Sequence, residues 1–450
     1  MSIAAVLRRN IFYPLWLYKN RDHRLTYLKK YEKLQYWSEK ELKRLQFTNL
    51  KKILSHAYKN TTHYKRTFDR VRFDPKKLND FSQLQKLPIL TKNQIQSGSD
   101  QLIAKNYRKE PQIKFKTGGS TGKALTVYSN RDRLERGVGA AYMCFRWAGW
   151  KIGEPMARVW GNPPIPITIK ERLKNFLIEP IIWLDTMDLN ESSMLEFVKK
   201  WEKVKPALLH GHAHSLFIFA EFLRKRKIDI LKPKGIISTS MMLILSERSV
   251  IEDVFGIKVI NLYGCEEVGL IACECDRHEG MHLNILNSFI EFVKSDGSAA
   301  KPGEEGEIVV TSLTNYGMPL IRYRIEDIGI PTNHLCSCGR GFPLMQEVTG
   351  RVADFLVKQD GGLVAGISLI ERTLTKIAGL TQMQIIQEDM KKIHLSIVKN
   401  KDYSEKSRIA LLNEFRGVFG PQVTVHIDLV SEIRREKSGK YRFSICKVKY

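Results

Sequence analysis

The sequence predicts an α/β protein: a large N-terminal unit of mixed sheet flanked by helices, with a β-hairpin subdomain, followed by a small α+β C-terminal unit. Three observations predict it. Between residues 131 and 262 short apolar runs alternate with stretches of helical periodicity, from Phe289 the pattern changes to strands joined by tight turns, and after Arg351 a hairpin, helices and strands recur on a smaller scale. The 450 residues suffice for two or three cores, and 43% hydrophobic with 27% charged residues is a globular composition.

From Leu25 to Tyr58 apolar residues recur at spacings of three and four, which predicts helices, and Ser38 with Glu41 forms a capping box for the second of them. Leu87–Leu90 reads as a short buried turn, with Thr91 capping a helix through Ile95. A glycine-rich loop at 116–123, KTGGSTGK, lies between the β-prone runs Ile113–Phe115 and Leu125–Tyr128. Arg131–Trp150 is a long helix whose Gly139, Ala140 and Ala141 suit close packing beside Phe145 and Trp147. Strands at 156–160, 207–210, 235–238 and 258–262 then alternate with helices at 194–204, 215–226 and 246–255. IEFVK and EIVVTSL flank the turn SDGSAAKPGEEG as an antiparallel pair, and DFLVKQDGGLVAG opens the last unit as a hairpin. The expected boundaries are a helical lead-in at 1–75 packed on the main domain, a core domain at 76–350, and a small, mobile lid at 351–450.

The formal charge is +25. Lys and Arg are dispersed among acidic residues, and no zinc-finger, basic-zipper or RNA-recognition signature accompanies them, so the charge points to anionic small-molecule substrates and not to nucleic acid. No apolar run reaches 18 residues, and the N-terminal MSIAAVLRRNIFYPLWLYKNR is interrupted by Arg8, Arg9, Asn10 and Pro14. Two readings stand for it: an arm packed on its own domain, or a peripheral contact with an anionic membrane surface. Seven cysteines without a secretion signal fit a reducing, cytoplasmic compartment, with the inner face of the membrane as the peripheral location.

Glycines in KTGGSTGK let backbone N–H groups converge on an anion, while Thr117, Ser120, Thr121 and Lys123 add donors and charge. It is not a Walker A loop, which needs glycine in place of Thr117 and a hydroxyl in place of Ala124; the alternative is a plain turn between two strands. The cysteine spacing predicts a second site. Cys336 and Cys338, followed by Gly339, form a knuckle that Cys275 and His282 complete as a structural Cys₃His zinc site, with His278 as the competing histidine and free thiols as the plain alternative.

Five strings in one order, KTGGSTGK at 116, NLYGCEEVG at 261, PLIRYRIEDIG at 319, TGRVADFLVKQDGG at 349 and EKSGKYR at 436, resemble the adenylate-forming superfamily of acyl-CoA synthetases and ligases. LTNYGMPLIRYRIEDIG and CSCGRGFPLM look like the phenylacetate-CoA ligase branch, and HAYKNTTHYK in the lead-in looks like its capsular polysaccharide biosynthesis members. The resemblance implies ATP and Mg²⁺, a carboxylic acid substrate and, with zinc as the structural metal, coenzyme A as a candidate acyl acceptor. It places Thr117, Gly118, Gly119, Ser120, Thr121, Gly122 and Lys123 on the β and γ phosphates, Tyr263 and Gly264 under the adenine, and Glu267, beside Glu266, on magnesium. Asp327 would accept the ribose hydroxyls, Arg351 would reach ribose and phosphate, and Lys440 would approach the α-phosphate when the C-terminal unit closes. Thr121, Glu267 and Lys440 are the expected catalytic residues.

The implied activity is carboxylate adenylation followed by acyl transfer to CoA or another acceptor, serving capsular or exopolysaccharide synthesis. The alternatives are an aryl-acid CoA ligase and a non-catalytic membrane or nucleic-acid adaptor on the same scaffold. Arg322 and Arg324 read as structural ion-pair partners. Met241 and Met242 stand where the family carries an acidic residue, Glu326 where it carries glycine, and Ala353, beside Asp354, at the hinge position two after Arg351. The histidines of LLHGHAHSLF favour a polar acid over phenylacetate.

Overall fold

Helices occupy the first 70 residues because the apolar period is helical and the starts are capped. Ser38 and Glu41 form the reciprocal capping box at the head of Glu39–Asn60, and Thr61 caps Thr62–Arg70. The N-terminal arm is one helical run, Ile3–Leu7, a π turn at Arg8–Phe12, and Tyr13–Lys19. It docks on its own chain through buried Tyr13 and Leu17, and through Arg8, whose Nε donates to the Phe176 carbonyl at 2.7 Å. Helix Lys92–Leu102 starts at a second box between Thr91 and Gln94. The computed structural model describes residues 2–108, 113–117, 125–161, 163–166, 168–294, 296–349, 355–433 and 444–448.

An eleven-stranded sheet organises the main body. Its parallel half runs, from the edge inward, Ile181–Asp185, Met156–Trp160, Leu208–His212, Gly235–Thr239 and Val259–Cys265. The two middle strands, Leu208–His212 and Gly235–Thr239, are buried at every residue, as expected of strands covered on both faces. One face packs Ala157, Leu209, Ile236 and Val259 under helices Glu191–Val204, Ala213–Lys225 and Leu245–Phe255; the other packs Met156, Leu208, Ile237 and Ile260 with Phe145 of helix Arg131–Trp147. The helix ends at Trp147, earlier than the sequence pattern suggests, since Ala148 and Gly149 turn the chain toward the first parallel strand. Strand Ile181–Asp185 and its preceding helix Ile169–Leu177 are absent from the sequence expectation, because the strand sits on an exposed edge and the helix buries none of its residues.

Val259–Cys265 is the seam: parallel to Gly235–Thr239 on one side, antiparallel to Gly269–Glu274 on the other. Beyond it follow Met281–Leu283, Leu344–Thr349, Tyr323–Pro331, Gly306–Ser312 and Ser288–Val293, all antiparallel, the last two as the expected hairpin. The glycine-rich loop is carried by a separate hairpin, Ile113–Thr117 with Leu125–Ser129, in register from Ile113↔Ser129 to Thr117↔Leu125. The C-terminal part comprises the hairpin Phe355–Val357 with Leu363–Ala365, helices Gly366–Lys376 and Glu405–Phe419, and a four-stranded sheet in the order Thr424–Leu429, Lys392–Lys399, Leu380–Asp389, Ser444–Cys446.

Candidate functional site

Tyr263 and Asp327 are 64 positions apart, yet the Tyr263 hydroxyl donates to the Asp327 carboxylate at 2.8 Å. The two expected nucleotide-binding positions therefore share one patch. Gly264 follows at the end of the seam strand, where a Cβ would lie 2.6 Å from the Gly269 carbonyl, so the close approach of the two strands requires glycine. Next in the chain, Glu266 is exposed and Glu267 is buried.

Two residues the motif reading passed over hold this turn. Tyr323 donates to Glu267 Oε1 at 3.1 Å, and burial, reinforced by that carboxylate, holds its phenol well above its usual pKa, so it remains a donor. Arg133, buried in the first turn of helix Arg131–Trp147, donates to the carbonyls of Glu266 and Glu267, each at 2.9 Å, and to the Ser129 hydroxyl at 3.1 Å. Its guanidinium also lies 5.8 Å from the Phe115 ring centroid. Arg133 thereby ties the base of the glycine-rich hairpin to the acidic turn. The signal was present in the sequence: Arg133 shares the helix face of Gly137, Ala140 and Cys144, where an unpaired basic residue has no place unless it is bonded internally.

Glu326, the departure from glycine, has φ +68°, a left-handed conformation that glycine adopts without strain. Its side chain is held by the buried Lys92 ammonium at 3.0 Å, so the carboxylate is turned into an ion pair. Arg322 and Arg324 pair with Glu291 and Glu307, at 3.0 and 2.9 Å, which accords with their structural reading. Thr117 closes its strand; Gly118, Gly119, Ser120, Thr121, Gly122 and Lys123, as well as Arg351 and Lys440, lie outside the described residues.

Cys275, His282, Cys336 and Cys338 converge, with their ligand atoms all within 4.8 Å of one another. Cys275 Sγ is 3.6 Å from Cys336 Sγ, and Cys338 Sγ is 3.3 Å from His282 Nε2. A tetrahedron with zinc–sulfur bonds of about 2.3 Å has edges of about 3.5–3.8 Å, and these two separations lie near that range. His282 Nδ1 is 3.2 Å from the Phe342 carbonyl, which fixes the tautomer with Nε2 toward the sulfurs, and burial pushes its pKa down to about 4, leaving the neutral ring that a metal takes. His278 instead faces Glu274 at 3.4 Å and is not part of the group.

A third cluster lies at the carboxyl edge of the parallel strands, the edge at which Tyr263 sits. His210, 8% exposed, has its ring between Phe145 and Trp160, with centroids at 5.2 and 5.3 Å, and among the described residues neither ring nitrogen has a hydrogen-bond partner. Buried His212 Nδ1 and Arg158 Nε likewise have no partner among the described residues. Burial holds His210 well below its ordinary pKa, with Arg158 adding to the effect, and holds His212 at about 4. Arg158 lies over the Trp183 ring at 5.5 Å. His214 is a separate case, bonded to Glu247.

Residues 356–447 match the CapK C-terminal domain family. The chain is 24% identical to protein CapK of Staphylococcus aureus over 416 residues, 91% of this chain and 90% of that protein, and 24% identical to phenylacetate-coenzyme A ligase of Escherichia coli K12 over 402 residues, 84% and 85% of the two. Among solved structures, 2-hydroxyisobutyryl-CoA ligase in complex with 2-HIB-AMP and CoA superposes with a TM-score of 0.57 at 15% identity, covering 90% of each chain. The fold is that of the adenylate-forming CoA ligases. Over most of its length the chain is similar to CapK and to phenylacetate-coenzyme A ligases.

Proposed function

We propose that this protein activates a carboxylic acid with ATP: a carboxylate oxygen attacks the α-phosphorus, the bond to the β-phosphate oxygen breaks, and acyl-AMP and pyrophosphate result. The acyl group then passes to the sulfur of CoA or to another acceptor, and AMP leaves. The observation that carries the reading is the single patch formed by Tyr263, Asp327 and Glu267 at the seam of the sheet. Asp327 would take the ribose hydroxyls and Tyr263 with Gly264 the adenine. Glu267 keeps Oε2 without a protein donor among the described residues, which suits a buried carboxylate that takes a cation. Mg²⁺ there would neutralise phosphate charge as it develops. The roles of the 117–123 loop, Arg351 and Lys440 remain those implied by the family resemblance, with the part after residue 350 as the moving lid.

The acid is proposed to be polar. Two buried histidines and an arginine with unpartnered nitrogens make a costly lining for an aryl group but a suitable one for a hydroxyl, amine or second carboxylate. The phenylacetate-CoA ligase relatives favour the other reading, an aryl acid. Likeness to CapK favours a role in making surface polysaccharide. Zinc held by Cys275, His282, Cys336 and Cys338 would be structural, as all four positions are filled by protein.

ATP–pyrophosphate exchange across hydroxy, sugar, amino and aryl acids tests the proposal, with addition of CoA reporting thioester formation. Exchange with polar acids, and a KM for the acid raised at least tenfold by His210→Phe, is expected. Exchange confined to aryl acetates sinks the polar-acid reading, and no exchange with any acid sinks adenylation.

A further inference from the structure

The N-terminal helical run is apolar on the side that faces away from the protein. Ala5, Arg8, Tyr13 and Leu17 form its buried row, while Ile3, Leu7, Ile11, Leu15 and Tyr18 stand outward with 40–86% of their surface exposed. The π turn at Arg8–Phe12 absorbs the five-residue step from Arg8 to Tyr13, directly before Pro14, whose missing N–H leaves the Asn10 carbonyl without its ordinary helical donor. Both rows thereby stay straight over about 25 Å. A surface helix ordinarily turns a polar face to water, and this one does not.

A second helix extends the same surface. Ile169–Leu177 buries none of its residues, and Ile169, Leu173 and Phe176, with Ile165 ahead of them, are 55–85% exposed. The two helices abut: Arg8 lies 5.1 Å over the Phe176 ring, and Lys174 Nζ 5.0 Å over the Trp16 ring. The charges that interleave with this patch are basic, from Arg9, Lys19, Lys170 and Arg172. The acidic residue among them, Glu171, is occupied in capping, accepting from the Thr168 N–H at 3.0 Å. Among the described residues no helix is long and apolar enough to cross a membrane.

We propose that these two helices form a monotopic docking surface for an anionic lipid bilayer, the apolar rows entering the acyl boundary and the basic residues meeting phosphate headgroups. Charge complementarity selects this occupant. A second copy of the chain would press one basic rim against another in a protein of net charge +25. The proposal concerns a face separate from the nucleotide patch and stands independently of the adenylation reading.

The test is co-sedimentation of the full chain with vesicles of phosphatidylglycerol and phosphatidylcholine in equal parts, and with phosphatidylcholine alone. Binding to the anionic vesicles is expected, at least tenfold weaker on neutral ones and weakened by salt. The pairs Ile11→Glu with Leu15→Glu and Ile169→Glu with Leu173→Glu are each expected to reduce it at least tenfold. Because all four side chains are exposed, the thermal midpoints should match that of the parent, which separates lost docking from lost fold. Absence of vesicle binding, equal binding to neutral vesicles, or binding untouched by both pairs overturns the proposal. So does a dimer in light scattering that the same pairs dissociate while lipid binding is absent, since the face would then belong to a second copy.

Discussion

Replacing Arg133 with methionine keeps an unbranched apolar stem and removes the guanidinium. Three hydrogen bonds go, at 2.9, 2.9 and 3.1 Å, and the Glu267 carbonyl is left buried with the Glu266 carbonyl partly so. A hydrogen bond from a charged donor is worth about 1.5–3 kcal/mol net, and an unsatisfied buried acceptor costs about 1–3 kcal/mol. Relief of the desolvated cation offsets part of this, because burial already lowers the Arg133 pKa. The expected loss is about 3 kcal/mol, less than a domain's typical stability of about 5–15 kcal/mol, so the variant still folds. Its effect should concentrate at the acidic turn and the glycine-rich hairpin. Urea denaturation should show the loss, and pyrophosphate exchange should show an apparent KM for ATP raised about tenfold or more, with Arg133→Lys intermediate. A methionine variant within about 1 kcal/mol of the parent, with unchanged KM for ATP, would refute the view that Arg133 ties the hairpin to the turn.

One equivalent of zinc per chain is expected by atomic emission, lost in Cys336→Ser and His282→Ala together with a lowered thermal midpoint, since metal binding adds directly to folding free energy. Glu326→Gly relieves a left-handed φ but deprives buried Lys92 of its carboxylate, so it should destabilise, and the cycle with Lys92→Met should reveal about 1–3 kcal/mol of coupling in chemical denaturation. His212 is held near pKa 4 by burial against an ordinary 6.5, so the unfolded chain takes up the proton first as pH falls. Its contribution is present above pH 6.5 and is lost toward pH 4, about 3 kcal/mol, and His212→Phe should flatten the stability profile over that window.

The sequence made the alternating half of the fold legible because its strands are covered on both faces and its helices are strongly periodic. Gly235–Thr239 is a continuous run of apolar and small residues, Leu208–His212 opens on two leucines, and Ser38 and Thr91 announce their helices through capping chemistry. Ile181–Asp185 escaped notice since an edge strand with one covered side carries a weaker pattern. In the Cys/His group, the strings pointed to His282 and not His278, and it is His282 whose ligand atom lies with the three cysteines. Arg133 was legible only as a basic residue on a buried helix face; its role was not, because it comes from three acceptors, two of them more than 130 positions away.

The same holds for the meeting of Tyr263 with Asp327. In sheet order, four inter-strand steps separate Val259–Cys265 from Tyr323–Pro331. Laid flat at about 4.8 Å per step, they would stand about 19 Å apart, beyond the reach of any side chain. The 2.8 Å bond between Tyr263 and Asp327 therefore requires the antiparallel half to curl back over the seam. The register breaks that permit this bend lie between Tyr263 and Gly264, between Gly329 and Pro331, and between Glu307 and Val309. All three lie within a few residues of Tyr263 or Asp327, the last because its partners step from Ile328 to Arg324. The chemical groups are thus local to short motifs, whereas their proximity is a property of sheet curvature, produced by irregularities that a strand-by-strand reading treats as interruptions.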